Sequence, residues 1–246
     1  MRQITYAALP RGDANWMRDV LELVEQAGIS TVADLGAGAH PVLAPEYVER
    51  RKLDYTIFDI SQAEMEKAGE AYNSVVEDVT SPGFADGRRF DLVLSRWLLE
   101  HISDPAQFHR NVFEMLPPGG RAVHFFPTLY TLPFMINRVL PERLSGRLLG
   151  TSLGETRSKF PARYRWCRGP TRSQLRRLEG TGFEIERYVG YYGHPYYRRI
   201  PPLDAAERWR ASLLARHPLP LLTNYASVTL RKPALSSSRS VNSTPS

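Results

Sequence analysis

The sequence predicts a doubly wound α/β domain: a seven-stranded, mostly parallel sheet with helices on both faces and an insertion or lid after the fifth strand. Three observations lead there. Short apolar runs of strand length alternate with amphipathic runs of helix length through residues 13–126. Glycine, proline and capping residues stand at the joints between them. Three successive apolar runs end in acids or glycines, at 34–38, at 59 and at 78, which places polar groups at the carboxyl ends of parallel strands.

Residues 13–28 place Trp16, Val20, Leu21, Leu23 and Val24 near helical spacing, with Gly28 as a stop. "TVADL" (31–35) reads as a buried strand. Pro41 suits the first turn of a helix running to about Lys52. "DYTIFDI" (54–60) is the second strand, and Ser61 with Glu64 forms a capping-box pattern that opens a helix. "NSVVED" (73–78) and "RFDLVLS" (89–95) are the third and fourth strands. Residues 104–116 form a helix with an aspartate cap and a proline in its first turn; "PPGG" ends it, and "RAVHFF" (121–126) is the fifth strand. Beyond an irregular stretch at about 127–170, Thr171 and Gln174 open a helix. A strand at 183–189, an irregular aromatic segment at about 190–203, a helix at 204–215 and a closing strand at 225–232 follow. One domain over 1–233 accounts for these elements, and the polar residues 234–246 read as a disordered tail.

The 246-residue chain is 42% hydrophobic, enough for a sizeable core, and its single cysteine, Cys167, excludes an internal disulfide framework. No signal-peptide core opens the sequence, and the most apolar stretch, 122–140, is interrupted by prolines and polar residues. A soluble cytoplasmic protein is expected. Residues 1–140 hold 13 basic against 19 acidic residues, and residues 141–216 hold 16 against 7. The basic part is either a solvated arginine-rich face or a surface for an anionic substrate, partner or membrane. Nucleic acid fits less well, because the arginines are spread among prolines rather than gathered on one helix.

"VADLGAGAH" (32–40) is the most specific stretch. Gly36 and Gly38 fit the first two positions of a dinucleotide fingerprint, but the third position is Pro41. Proline offers no amide donor, and a pyrophosphate needs donors there. A nucleoside ligand without phosphates suits the loop better. Asp59 can accept from both ribose hydroxyls, and Asp78 from an adenine amino group.

The order "VADLGAG", "YTIFDIS", "VVEDVTS", "FDLVLSRWLLEHI", "LPPGG" resembles the class I S-adenosylmethionine-dependent methyltransferases, with their Rossmann-like fold. The resemblance covers residues 15–126 well and extends more loosely to about 231. It implies S-adenosyl-L-methionine as cofactor and S-adenosyl-L-homocysteine as product. It implies that Asp34, Gly36, Ala37 and Gly38 surround the methionine part and that Asp59 and Ile60 stand at the ribose. Asp78 and Val79 would flank the adenine, and Ser95, Arg96 and Trp97 would line the pocket. Many members carry a third alternating glycine where this chain has His40.

Methyl transfer from a sulfonium is an in-line displacement, so alignment and exclusion of water matter most. A general base is needed only for a neutral acceptor. His101 and His194 are the candidates for that role, with packing or a hydrogen bond beneath the site as the competing reading for His101 and the capping of a turn for His194; His124 reads as a core histidine and Glu100 as a helix-start carboxylate. No histidine pair has metal spacing, so no metal is expected. The interleaved arginines and aromatics of 163–169 and 191–199 predict a small-molecule acceptor with an apolar body and an anionic group. The alternative is a non-catalytic cofactor-fold protein that docks a membrane surface or partner through its basic insertion.

Overall fold

The computed structural model describes residues 2–9, 12–26, 28–129, 161–195, 197–198 and 200–234. Chain order is β1 (Gln3–Ala8), α1 (Asp13–Gln26), β2 (Thr31–Leu35), α2 (Pro45–Arg51), β3 (Asp54–Asp59), α3 (Gln62–Ala68), β4 (Asn73–Val76), β5 (Leu92–Arg96), α4 (Pro105–Met115) and β6 (Arg121–Pro127). After it come α5 (Arg172–Glu179), β7 (Glu184–Tyr192), α6 (Pro201–Arg216), a 3₁₀ turn (Pro220–Leu222) and β8 (Tyr225–Arg231). The sheet runs β1-β7-β8-β6-β5-β2-β3-β4, and β8 alone is antiparallel to its neighbours. The lid expected after the fifth strand falls largely on 130–160, and the expected tail on 235–246; both lie outside the described residues.

Strand alternation builds two cores. Val32, Ile57, Leu92, Leu94 and Val123 face α1, α2 and α3 and pack with Trp16, Val20, Val24 and Met65. Ala33, Leu35, Phe58, Val93 and Phe126 face α4 and α5 and pack with Phe108, Val112, Met115, Leu175 and Leu178. Burial on both faces is why the central strands read as continuous apolar runs. The caps are the ones the sequence predicts. Ser61 Oγ accepts from Glu64 N, Asp104 Oδ1 from Gln107 N, and Thr171 Oγ1 from Gln174 N.

Two elements differ from expectation. The sheet has eight strands among the described residues, because Gln3–Ala8 adds a parallel edge strand beside β7. The signal there is weak, since an edge strand of partly buried residues shows little alternation. Its Tyr6 stacks on Tyr192, 6.0 Å between centroids, and with Ala8 it meets α6. The second helix begins at Pro45 rather than Pro41. The amides of Val42 and Leu43 are drawn to Asp34 and Tyr55 instead, which holds residues 41–44 out of helical geometry.

At the amino end of the sheet one carboxylate joins two strands. Asp91 Oδ2 accepts from the backbone amides and the hydroxyls of Ser30 and Thr31 at 2.9–3.0 Å. Burial opposes its charge, but these donors outweigh it and hold the carboxyl below the ordinary carboxylate range. Asp91→Ala is expected to cost about 1.5–3 kcal/mol in urea unfolding at pH 7. A group with a depressed folded pKa stabilises above its unfolded value and loses that contribution as pH falls. The gap between wild type and variant should therefore narrow as pH falls below about 4 and keep shrinking through the depressed folded value, and an undiminished gap at acid pH would contradict the assignment.

Candidate active site

The carboxyl ends of β2, β3, β4 and β5 meet at one edge of the sheet. Gly36 and Gly38 follow β2 with φ of +69° and +48°. A Cβ on Gly36 would come within 2.7 Å of the Leu98 side chain, and one on Gly38 within 3.3 Å of Asp59 Oδ2. Both positions thus need the conformation and the small volume that only glycine supplies.

Most amides of this loop are already committed. Gly36 and Ala37 N–H both donate to the Phe58 carbonyl, at 2.7 and 3.1 Å, and His40 N–H donates to the Ala37 carbonyl. Val42 N–H donates to Asp34 Oδ2 at 2.7 Å, and Leu43 N–H to the Tyr55 hydroxyl at 3.2 Å. The Gly38 amide hydrogen-bonds Asp59. With Pro41 lacking a donor, the turn cannot present the row of free N–H groups that cradles a pyrophosphate.

Asp34 lies beneath the loop, 1% exposed, and also accepts from the Tyr55 hydroxyl at 2.6 Å. Burial pushes its carboxyl up to about 6, only partly offset by the Tyr55 and Val42 donors. Its Oδ1 is buried and has no hydrogen-bond partner among the described residues. Asp59, half-buried at the end of β3, accepts at Oδ1 from Ser61 N–H at 2.9 Å. Burial raises its carboxyl, while the Ser61, Gly38 and Ile60 amides work the other way. Ile60 is exposed. Asp78 Oδ1 accepts from the amide and hydroxyl of Thr80, at 2.8 and 2.7 Å, so part of this carboxylate turns its own loop. Val79 has its side chain in the core, and Asn111 of α4 donates to the Val79 and Ser81 carbonyls.

Past β5, Arg96 Nη2 donates to the His40 carbonyl at 3.2 Å and ties this strand end to the glycine loop, while the His40 side chain is exposed. Trp97 adopts φ of +61° and stands edge-on to Phe125 and Tyr225, 5.0 and 5.5 Å between centroids. Ser95 differs from its expected role. It is fully buried, with Oγ 2.8 Å from His124 Nδ1, so its side chain is turned into the core. The cross-strand register Ser95–His124 dictates this, and His124 is the core histidine that the sequence suggests.

The two histidine candidates separate. His101 is half-buried beside the crevice, with Nε2 3.9 Å from Glu100 Oε1. His194 is buried where β7 meets α6, with Nε2 3.5 Å from Glu207 Oε1 and its ring edge-on to Tyr197. Burial lowers its pKa despite Glu207. Strand order puts β7 four places from β2, so His194 belongs to the packing of the sheet edge and not to the crevice. Glu100, in contrast, gains interest. It is 5% exposed, its Oε2 has no hydrogen-bond partner among the described residues, and burial pushes its carboxyl up to about 8. Nothing in "LLEHI" distinguishes a buried acid from a helix-start acid. A signal was available for Asn111, a lone amide on the apolar face of an amphipathic helix.

Residues 33–124 match the family described as "Methyltransferase domain". A ubiquinone/menaquinone biosynthesis C-methyltransferase of Desulfotalea psychrophila is 28% identical over 116 residues, 45% of this chain and 47% of that protein. This chain thus covers about half the length of that relative. Among solved structures, an S-adenosylmethionine-dependent methyltransferase of Clostridium acetobutylicum superposes with TM-score 0.56 and 11% identity, over 90% of this chain and 92% of that one. A phosphoethanolamine N-methyltransferase of Haemonchus contortus, in complex with S-adenosyl-L-methionine, gives TM-score 0.50 and 16% identity over 88% of this chain and 52% of that one. The segment that carries the glycine loop and the strand-end acids is thus similar to methyltransferase domains, and the sheet order is a fold shared with solved S-adenosylmethionine-dependent methyltransferases.

Proposed function

We propose that this chain transfers a methyl group from S-adenosyl-L-methionine to a small-molecule acceptor with an apolar body and an anionic group. One observation carries the cofactor half of this reading. The glycine loop has spent most of its amides internally and stands against Asp59, so it suits an adenosyl group without phosphates and does not suit a dinucleotide. The cofactor, when bound, supplies a methyl group already activated on a positively charged sulfur.

The protein's share is placement. Asp59 accepts from the ribose hydroxyls while its backbone donors hold it in position. Asp34 stiffens the loop from below, and Arg96 fixes the loop to the end of β5. Trp97, braced by Phe125 and Tyr225, supplies an apolar wall that excludes water from the transfer. Glu100 holds its proton at neutral pH and so adds no negative charge near the acceptor. The relatives support an acceptor of this kind: one is named for quinone biosynthesis, and a Haemonchus contortus enzyme was solved with phosphomonomethylethanolamine. The docking alternative rests on the basic insertion, much of which lies outside the described residues.

Calorimetric titration tests the cofactor half. Wild type should bind S-adenosyl-L-homocysteine, and Asp59→Ala should weaken that binding by about 10–100-fold, because the ribose hydroxyls lose a charged acceptor. Gly38→Ala should also weaken it, since alanine is strained at a φ of +48° and its methyl would press on Asp59. Equal affinity in all three proteins would remove the loop and Asp59 from the site.

Glu100 gives a pH test. Its folded pKa is raised, so protonation stabilises the fold below the unfolded value, near 4.5, and the contribution disappears as pH rises toward about 8. Glu100→Gln should leave stability near wild type at pH 4 and exceed it by a margin that grows with pH to about 1–3 kcal/mol at pH 9, read by urea denaturation. Parallel pH profiles for the two proteins would show that the carboxyl is not held neutral.

A further inference from the structure

We propose that a cleft over the N-terminal end of α4, lined by Arg163, Arg165, Arg168 and Arg177 with Tyr164 and Trp166, binds a phosphate monoester, and that this phosphate is the anionic group of the methyl acceptor. Only the second clause rests on the methyl-transfer reading; binding of phosphate does not.

The cleft encloses about 470 Å³, a volume suited to a small metabolite. Four arginines line it against one carboxylate, Asp104. That carboxylate already caps α4 through the Gln107 amide at 3.0 Å. Among the described residues Arg163, Arg165 and Arg177 form no ion pair, although the chain elsewhere pairs Arg2, Arg88, Arg121, Arg187 and Arg210 with acids. Arg163, Arg165 and Arg177, close together and without ion-pair partners of their own, repel one another, and a phosphate dianion relieves that repulsion while accepting from several planar donors at once.

The arginines are carried on a backbone that is held, not free. Tyr164 and Trp166 have φ of +51° and +58°, a region costly for aromatic residues. The segment stays there because it is tied on every side. Arg163 and Tyr164 N–H both donate to the Glu100 carbonyl, at 2.6 and 3.0 Å. Gln174 Nε2 donates to the Trp166 carbonyl at 2.6 Å, and Leu129 N–H to the Cys167 carbonyl at 2.9 Å. The Tyr188 hydroxyl donates to the Arg168 carbonyl at 2.6 Å. Trp166 also lies flat against buried His109, 5.7 Å between centroids. A solvated arginine loop needs none of this, since exposed arginines serve solubility from any backbone. The strain is sustained where it fixes the directions of three neighbouring guanidiniums.

Position links the cleft to the chemistry. Glu100, whose carbonyl anchors the segment, lies in the loop that runs from β5 to α4, and Arg165 Nη1 donates to the Ser103 carbonyl of the same loop. That loop begins at Trp97, at the end of β5 beside the glycine turn. A molecule with its phosphate on the arginines and its body along this loop would extend toward the crevice over β2 and β5. Tyr164 and Trp166 offer aromatic surface for that body.

The test uses the full chain with inorganic phosphate and phenyl phosphate as probes, followed through the assigned indole N–H signals by NMR. The Trp166 signal should move on titration, and phenyl phosphate should bind more tightly than benzoate. The double variant Arg165→Gln/Arg177→Gln should lose phenyl phosphate affinity by about ten-fold or more. Its affinity for S-adenosyl-L-homocysteine should stay within about two-fold of wild type. Unchanged phosphate binding in the double variant, no binding to wild type, or a preference for benzoate would each overturn the assignment. If phosphate binds as described and S-adenosyl-L-homocysteine does not bind wild type, the anion site stands and the methyl-transfer reading fails.

Discussion

A buried carboxylate at the end of a central strand has to find donors, and the one at Asp34 organises the active edge of this protein. With 1% exposure it cannot rely on water. It takes the Tyr55 hydroxyl from the neighbouring strand and the Val42 amide from eight residues ahead. The chain must turn back over the strand to deliver that amide, and Gly36 and Gly38 make the turn possible without side chains in the way. Tyr55 in turn accepts from Leu43, whose carbonyl accepts from Tyr72. The glycine loop is therefore held by interactions below it.

The parallel arrangement then collects the rest. Every central strand points the same way, so the residues that end β3, β4 and β5 arrive at the edge that Asp34 has shaped. Before any ligand is considered, Asp59 holds the Ser61 amide of its own loop and the Gly38 amide of the neighbouring one, Asp78 turns its own loop, and Arg96 reaches back to the His40 carbonyl. Such preorganisation lowers the cost of ordering the site on binding.

Much of this was legible in the sequence because local chemistry and fold agree there. The alternation of strands and helices, the three caps and the glycine turn all rest on short-range patterns. The second helix starts late because Asp34 captures the amides that Pro41 would have led into it. That competition depends on burial, which a linear pattern does not carry. Ser95 faces His124 rather than the crevice for a related reason, since the pleat and the cross-strand register decide it. His194 sits among tyrosines in the sequence like a substrate-facing residue, yet α6 folds over it and supplies Glu207. Glu100 shows the reverse: an ordinary acid in sequence, it is buried in the fold, where its carbonyl accepts from Arg163 and Tyr164 and burial raises its carboxyl.

The edge strand β1 carries a consequence for how the chain assembles. Its partner in the sheet is β7, with Gln3 opposite Arg187 and Ala8 opposite Tyr192. During synthesis this strand emerges long before the segment it pairs with, and its hydrogen-bonding edge waits while the central strands collapse. Completion of the sheet is thus a late event of high sequence separation. A ribosome stalled short of β7 would display an unsatisfied strand open to chaperones or to another nascent chain.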